Sequence, residues 1–265
     1  MGVLLQVSDT HFGTERAPVV QALQALAHQQ GPDVMVLSGD ITQRARPAQF
    51  RAARAFADSL GVKTLAVPGN HDLPMLDLWT RFRRPYAHYM TAFGEDLEPV
   101  YHTQDLLVVG VNTTRVWRHK HGEVSDQQVA RVARLLSDAP TAQLRVVVVH
   151  QPMAVTRLED AHHRVRGHAA ALACWASAGA DMVMGGHIHL PYVKYLPHLP
   201  RPLWAVQAGT AVSSRTRAGV PNSVNLLRWG QGVPPGCCLV EQWDYSAHEG
   251  AFVQAKVTHA WPARE

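Results

Sequence analysis

Apolar runs and helical patterns take turns over the first part of the chain. Val3–Val7, Val34–Leu37 and Leu65–Val67 are apolar runs of the length expected for short buried strands. Between the first two, Val19, Val20, Leu23, Leu26 and Ala27 recur at helical spacing behind Pro18, and Gly31-Pro32 ends the pattern. Phe50, Ala53, Ala57 and Leu60 repeat it over Pro47–Leu60, closed by Gly61. Strand, helix, strand, helix, strand predicts parallel βαβ units. Right-handed crossovers would then bring the ends of all three strands to one edge of a single sheet.

Residues 73–105 carry no clean period; short helices and loops are expected, part of a wall facing substrate. Leu106–Val111 reads as a further strand. Ser125 with Gln128 three residues on is a capping box for a helix over Asp126–Leu136. Arg145–Val149 is strongly β-branched, which predicts burial on both faces. Ala169–Ala178 reads as a helix capped by Gly179, and Met182–Met184 as a strand. The segments near Leu203–Gln207, Val224–Leu227, Leu239–Trp243 and Phe252–Thr258 have few helical signals between them and read as antiparallel strands. No repeat or linker divides the chain. The expected fold is one α/β domain over residues 1–265, with two mixed β-sheets packed face to face and flanking helices.

The polar residues that end these strands change the picture. Leu65–Val67 runs through Pro68-Gly69 into Asn70-His71-Asp72, Val3–Val7 into Asp9 and His11, and Val34–Leu37 into Gly39-Asp40. Arg145–Val149 runs into His150, and Met182–Met184 into Gly186, His187 and His189. Polar side chains at the tips of buried strands are costly unless something binds them, and the crevice beyond strand ends is where open α/β sheets bind ligands. One such tip is an ordinary polar turn. Five in order along one chain are a pattern. Asp9, His11, Asp40, Asn70, His150, His187 and His189 supply oxygen and nitrogen donors without a thiolate, which suits Mn, Fe or Zn better than Mg or Ca. Seven donors exceed one ordinary site. Two ions sharing a bridging carboxylate, about 3.5–4 Å apart, fit better.

The 265 residues, 46% hydrophobic and 17% charged, belong to a globular protein. No apolar run approaches bilayer-spanning length. Three cysteines, Cys174, Cys237 and Cys238, make neither a disulfide framework nor a zinc spacing. Asp9 and His11 belong to the chemistry, so no cleaved leader is expected; a reducing cytoplasm is the simplest setting. The net charge of +4 suits an anionic substrate. The basic residues are scattered; the closest thing to a patch, Arg81-Phe82-Arg83-Arg84, reads equally as a solvated face, so no stable nucleic-acid partner is expected. The count of 16 histidines is unusual and invites a metal reading. His28, His88, His198 and His248 are expected on the surface or on helices. His119, His121, His162, His163 and His168 are assigned to loops, with a cleft-lining role as the alternative. The tryptophans at 79, 117, 175, 204, 229, 243 and 261 are assigned to the core.

The series Asp9-x-His11, Gly39-Asp40, Gly69-Asn70-His71-Asp72, His150 and Gly186-His187-x-His189 resembles the calcineurin-like metallophosphoesterases, with all five blocks in family order. The likeness is greatest to the bacterial class III cyclic-nucleotide phosphodiesterases. The serine/threonine phosphatase branch is disfavoured because Asp40 is followed by Ile41-Thr42-Gln43-Arg44 rather than the rest of GDxVDRG. The resemblance implies a four-layer α/β/β/α sandwich binding two divalent or mixed-valence ions. Asp9, His11 and His189 would hold one, Asn70, His150 and His187 the other, and Asp40 both. It further implies that His71 contacts the phosphate and serves the leaving oxygen, with Asp72 orienting its imidazole. Hydroxide held between the ions would attack phosphorus in line. A small phosphate ester is the implied substrate, cyclic AMP by default. A nucleotide-lipid pyrophosphate, a glycerophosphodiester or a phosphomonoester are alternatives, ahead of a DNA nuclease or a metal-free scaffold. Asn112, Arg115 and, more weakly, Arg166 are expected substrate contacts; homo-oligomerisation stays open.

Overall fold

A computed structural model describes residues 1–75 and 77–263. Strands β1 (Gly2–Val7), β2 (Val34–Ser38) and β3 (Lys63–Val67) are linked through helices α1 (Ala17–Gln30) and α2 (Pro47–Ser59). They pair in parallel, β1 with β2 and β2 with β3, as the βαβ pattern requires. Helices α3 (Leu78–Arg83) and α4 (Ala87–Phe93) follow, then β4 (Val100–His102), β5 (Leu106–Gly110), α5 (Asp126–Ser137) and β6 (Leu144–Val148). The chain continues through α6 (His168–Ser177), β7 (Met182–Gly185), β8 (Tyr192–Leu196), β9 (Leu203–Gln207), β10 (Ser223–Trp229), β11 (Cys238–Ser246) and β12 (Ala251–Ala260). One six-stranded sheet has the order β12-β11-β10-β1-β2-β3 and the other β4-β5-β6-β7-β9-β8. Both are mixed, as expected.

The near-continuous apolar character of the strands follows from burial on both faces. Leu4, Val34, Val36, Leu65 and Val67 of the first sheet meet Val108, Val146, Val148, Met182, Met184 and Val206 of the second in a common inner core. The alternate residues point outward. Val3, Leu5, Val7, Met35 and Leu37 pack under α1 and α2, while Leu107, Val109, Val147, Val149 and Val183 pack under α5 and α6. Local signals set the helix ends. Gly31, at φ 56°, turns the chain out of α1 in a left-handed conformation. At α5 the Ser125 hydroxyl accepts from the Gln128 amide, and the Gln128 side chain accepts from the Ser125 amide.

Three expectations are corrected. The strand at Leu203–Gln207 is not purely antiparallel: β9 runs parallel to β7 and antiparallel only to β8. The half-exposed β8 lies at the sheet edge and carries the chain across, so this crossover needs no helix. Arg81 belongs to neither a basic patch nor a solvated face; it is buried, and its guanidinium donates to the carbonyls of Pro74, Val116 and Arg118. Of the tryptophans, Trp175 and Trp229 are core, but Trp79, Trp117 and Trp261 are exposed. Trp79 instead lies under the Arg83 guanidinium, 4.6 Å from its ring centroid. Among the described residues, no helix is long and apolar enough to cross a membrane.

Candidate functional site

The carboxyl ends of β1, β2, β3, β6 and β7 converge where the two sheets meet. The cross-connections are short. The Asp9 amide donates to Gly39 O at 3.1 Å, the His11 amide to Asp40 O at 3.0 Å, and the Gly186 amide to His150 O at 2.8 Å. Five residues here take the left-handed conformation without being glycine: Asp9 (φ 51°), His11 (42°), Asp40 (48°), His187 (75°) and His189 (56°). Each costs on the order of 1–3 kcal/mol, and such backbone strain concentrates where function demands it. The small neighbours are sterically required. A Cβ on Gly69 would strike the Asp40 amide and carboxylate, and one on Gly186 would strike Ser8 Oγ and Asp9 Oδ2.

The side chains gather into overlapping sets. Asp9, His11 and His189 each present a ligand atom within 4.8 Å of the others, and Asp40, His150 and His187 do the same. His11, Asp40 and His71 form a third such group. Asp40 therefore stands between the two clusters, 3.2 Å from His150 Nε2 and 3.9 Å from His11 Nε2. The Asp9 carboxylate lies 3.2 Å from His189 Nε2 and accepts from the Ser8 hydroxyl and the His187 amide. His11 Nε2 faces His189 Nε2 at 3.2 Å.

These donors fit metal ions. His187 Nδ1 and Asn70 Oδ1 are buried polar atoms without a hydrogen-bond partner, an arrangement costing about 1–3 kcal/mol each unless a ligand takes them up. Burial would raise the pKa of Asp9, yet His189 and His150 draw it down to about 2. Burial likewise opposes ionisation of Asp40, and His150 and His71 hold it well below the usual carboxylate range. Burial depresses His11 and His187 to about 3, leaving neutral imidazoles. Burial also works against a charged His150, but Asp40 overcomes it and raises His150 to about 9. Two buried carboxylates held ionised, with the His11 and His187 imidazoles held neutral beside them, are donors suited to a cation.

His71 sits at the edge of this cluster. Its amide donates to Asp40 Oδ1 at 2.8 Å, and its Nδ1 lies 3.0 Å from the Gln43 carbonyl. That carbonyl, not Asp72, sets the imidazole's orientation. Asp72 is committed to the backbone instead. Its carboxylate accepts from the amides of Ile41, Thr42 and Gly69 and from the Thr42 hydroxyl. Burial and the nearby Asp40 raise Asp72 to about 6, although the backbone donors pull the other way. The orienting role expected of Asp72 thus belongs to Gln43, because adjacency along the chain does not become contact between the side chains.

Asn112, Arg115 and Arg166 touch no ligand side chain among the described residues. Asn112 Oδ1 accepts from the Thr114 amide and hydroxyl. Arg115 donates to the carbonyls of Asn112 and Thr114 and to Gln128 Oε1. Arg166 is exposed, 4.0 Å from Glu123. His163, assigned to a loop, lies on a short 3-10 segment (Leu158–His163) and points inward. Its Nδ1 is 3.2 Å from His187 Nε2, on the side of that ring away from the orphaned Nδ1. His168 bonds the Val165 carbonyl at the start of α6, and His119, His121 and His162 are exposed. Sequence reasoning misses Arg215 altogether, because nothing in the local pattern of the Ser213–Arg217 loop marks it; its Nη1 lies 3.2 Å from His71 Nε2.

Comparison with known proteins places this geometry in context. A glycerophosphodiester phosphodiesterase, GpdQ, of Enterobacter lignolyticus is 27% identical over 164 residues, covering 57% of this chain and 57% of the relative. A cAMP/cGMP dual specificity phosphodiesterase of Mycobacterium tuberculosis is 29% identical over 205 residues, 71% of this chain and 61% of the relative. The chain thus spans between half and two thirds of the length of these two relatives. A dimetal phosphatase from Danio rerio superimposes with a TM-score of 0.70 over 99% of both chains at 13% identity, a likeness of fold. The calcineurin-like phosphoesterase family model matches residues 2–191, which contain every clustered ligand. The chain belongs to the calcineurin-like phosphoesterase family.

Proposed function

We infer that the protein is a metal-dependent phosphodiesterase acting on a small phosphodiester. The observation that carries this reading is the pair of three-residue groups Asp9, His11, His189 and Asp40, His150, His187, with Asp40 also grouped with His11 and His71. Asp9, His11 and His189 would hold one ion, and Asn70, His150 and His187 the other. Asp40 would serve both. Nitrogen-rich donor sets of this kind favour Mn or Fe, with Zn also accommodated. When bound, such a pair supplies Lewis-acid activation of water and neutralises charge at a phosphoryl group.

The protein's own groups divide the remaining tasks. His71 Nδ1–H would donate to the Gln43 carbonyl, which leaves Nε2 facing Arg215 and the reacting space. His71 would carry a proton on Nε2 to the leaving oxygen and return to the neutral tautomer when that proton departs. Asp72 would act at a distance, clamping the turns after β2 and β3 so that Asp40 and Asn70 keep their places.

A 3',5'-cyclic nucleotide such as cyclic AMP is the first substrate to test, because one relative is a cAMP/cGMP phosphodiesterase. A glycerophosphodiester is the second, because another relative is a glycerophosphodiester phosphodiesterase. The decisive experiment pairs elemental analysis of the purified protein with hydrolysis of bis(p-nitrophenyl) phosphate, with and without added Mn. About two ions per chain and EDTA-sensitive turnover are expected. No metal, and no turnover of this diester or the matching monoester after reconstitution, would remove the reading.

A further inference from the structure

The non-bridging oxygens of a phosphate held at this cluster call for a hydrogen-bond donor beside His71. Arg215 is positioned to be one. It lies beyond the 2–191 segment matched by the family model, on a loop pinned to the turn that carries Asp9 and His11. The Ala211 amide donates to Ser8 O, and the Ser214 amide to Thr14 O. The Arg215 amide donates to Ser213 Oγ, and its carbonyl accepts from the Thr210 hydroxyl. The side chain is half-buried.

Its Nη1 donates to Gln43 Oε1 at 2.9 Å and meets His71 Nε2 at 3.2 Å. Gln43 therefore brackets both groups, holding the imidazole with its main chain and the guanidinium with its side chain. Nε and Nη2 of Arg215 have no hydrogen-bond acceptor among the described residues, and the guanidinium has no carboxylate partner there. Arg217, two residues on, differs in this respect. That guanidinium is spent on Glu159, Asp160 and the Ile188 carbonyl. An arginine fork with unused N–H donors beside a phosphoester-cleaving cluster has the planar geometry that takes phosphate oxygens in pairs.

We propose that Arg215 is a substrate-binding residue whose free Nε and Nη2 edge grips a non-bridging oxygen of the scissile phosphate beside His71. This rests on the phosphodiesterase reading above. The test compares wild type, R215A and R215Q, each loaded with Mn and matched for metal content and melting temperature. Inorganic phosphate affinity is measured by calorimetry, and bis(p-nitrophenyl) phosphate turnover is resolved into kcat and KM. Losing charge-assisted contacts is expected to weaken phosphate binding and raise KM roughly 10- to 100-fold. A fall in kcat with unchanged phosphate affinity would overturn the proposal, since it would make Arg215 an orienting group for His71 only. Should R215A fail to fold, R215Q alone decides between these outcomes. A wild type that turns over the diester and binds phosphate as tightly as both variants do removes Arg215 alone. A loaded wild type that does neither removes the phosphodiesterase reading together with it.

Discussion

The ligand residues combine burial, ionisation and backbone strain in a way that no packing role would repay. Asp40 concentrates all three, being buried, left-handed and held ionised between two histidine groups. Asp40→Asn is expected to remove nearly all turnover and to reduce bound metal below about one ion per chain by elemental analysis, because it weakens both ion sites together. His71→Ala should lower kcat by about 10²- to 10⁴-fold, the usual worth of a positioned acid or base, while metal content stays near that of wild type. Full activity in a metal-replete His71→Ala would end its catalytic assignment. His163 is a third case. Its contact with the far nitrogen of His187 fixes which ring atom faces the cluster, so His163→Ala should weaken metal binding roughly 10- to 100-fold, read by competition with a chelating dye. His163 is not legible from sequence, because it follows no strand and carries no motif. Its role arises from a turn folding back onto the end of β7.

At the scale of elements, the local code is readable wherever one segment's own chemistry decides its shape. The capping box at α5 is such a case, with both reciprocal bonds formed. Ser125→Ala should cost about 1 kcal/mol of stability, the typical worth of an N-cap, with little change in kcat, as followed by chemical denaturation. A loss far above that value would mean that Ser125 supports more than its helix. Edge elements are harder. β4 and β8 are short, partly exposed and mixed in polarity, so they lack the apolar run that marks a central strand. Exposed Trp79 and Trp117 show the same limit. A large aromatic residue predicts burial on average, yet the short α3 has too little neighbouring structure to cover Trp79.

Across the whole molecule, two sheets share one inner core and bring their strand ends to one seam. Anionic side chains and unpartnered nitrogens gather there, and cations would offset the cost of burying them. Removing metal with EDTA should therefore lower the melting temperature. Ions held at about 1,000 times their dissociation constant stabilise a native state by about 4 kcal/mol per site, and each kcal/mol moves the midpoint of a chain near this size by roughly 2–4 °C. Mn should restore the midpoint; an unchanged midpoint would show that the cluster folds without need of metal. Sequence alone determined the strand–helix alternation, the order of the ligand blocks and the residue types at each strand tip, because periodicity and donor chemistry are local properties. Only the tertiary structure decided which donors share a space, that Gln43 rather than Asp72 holds His71, and that His163 and Arg215 reach the cluster. Those contacts join residues far apart along the chain, and no local pattern encodes the loop paths that bring them together.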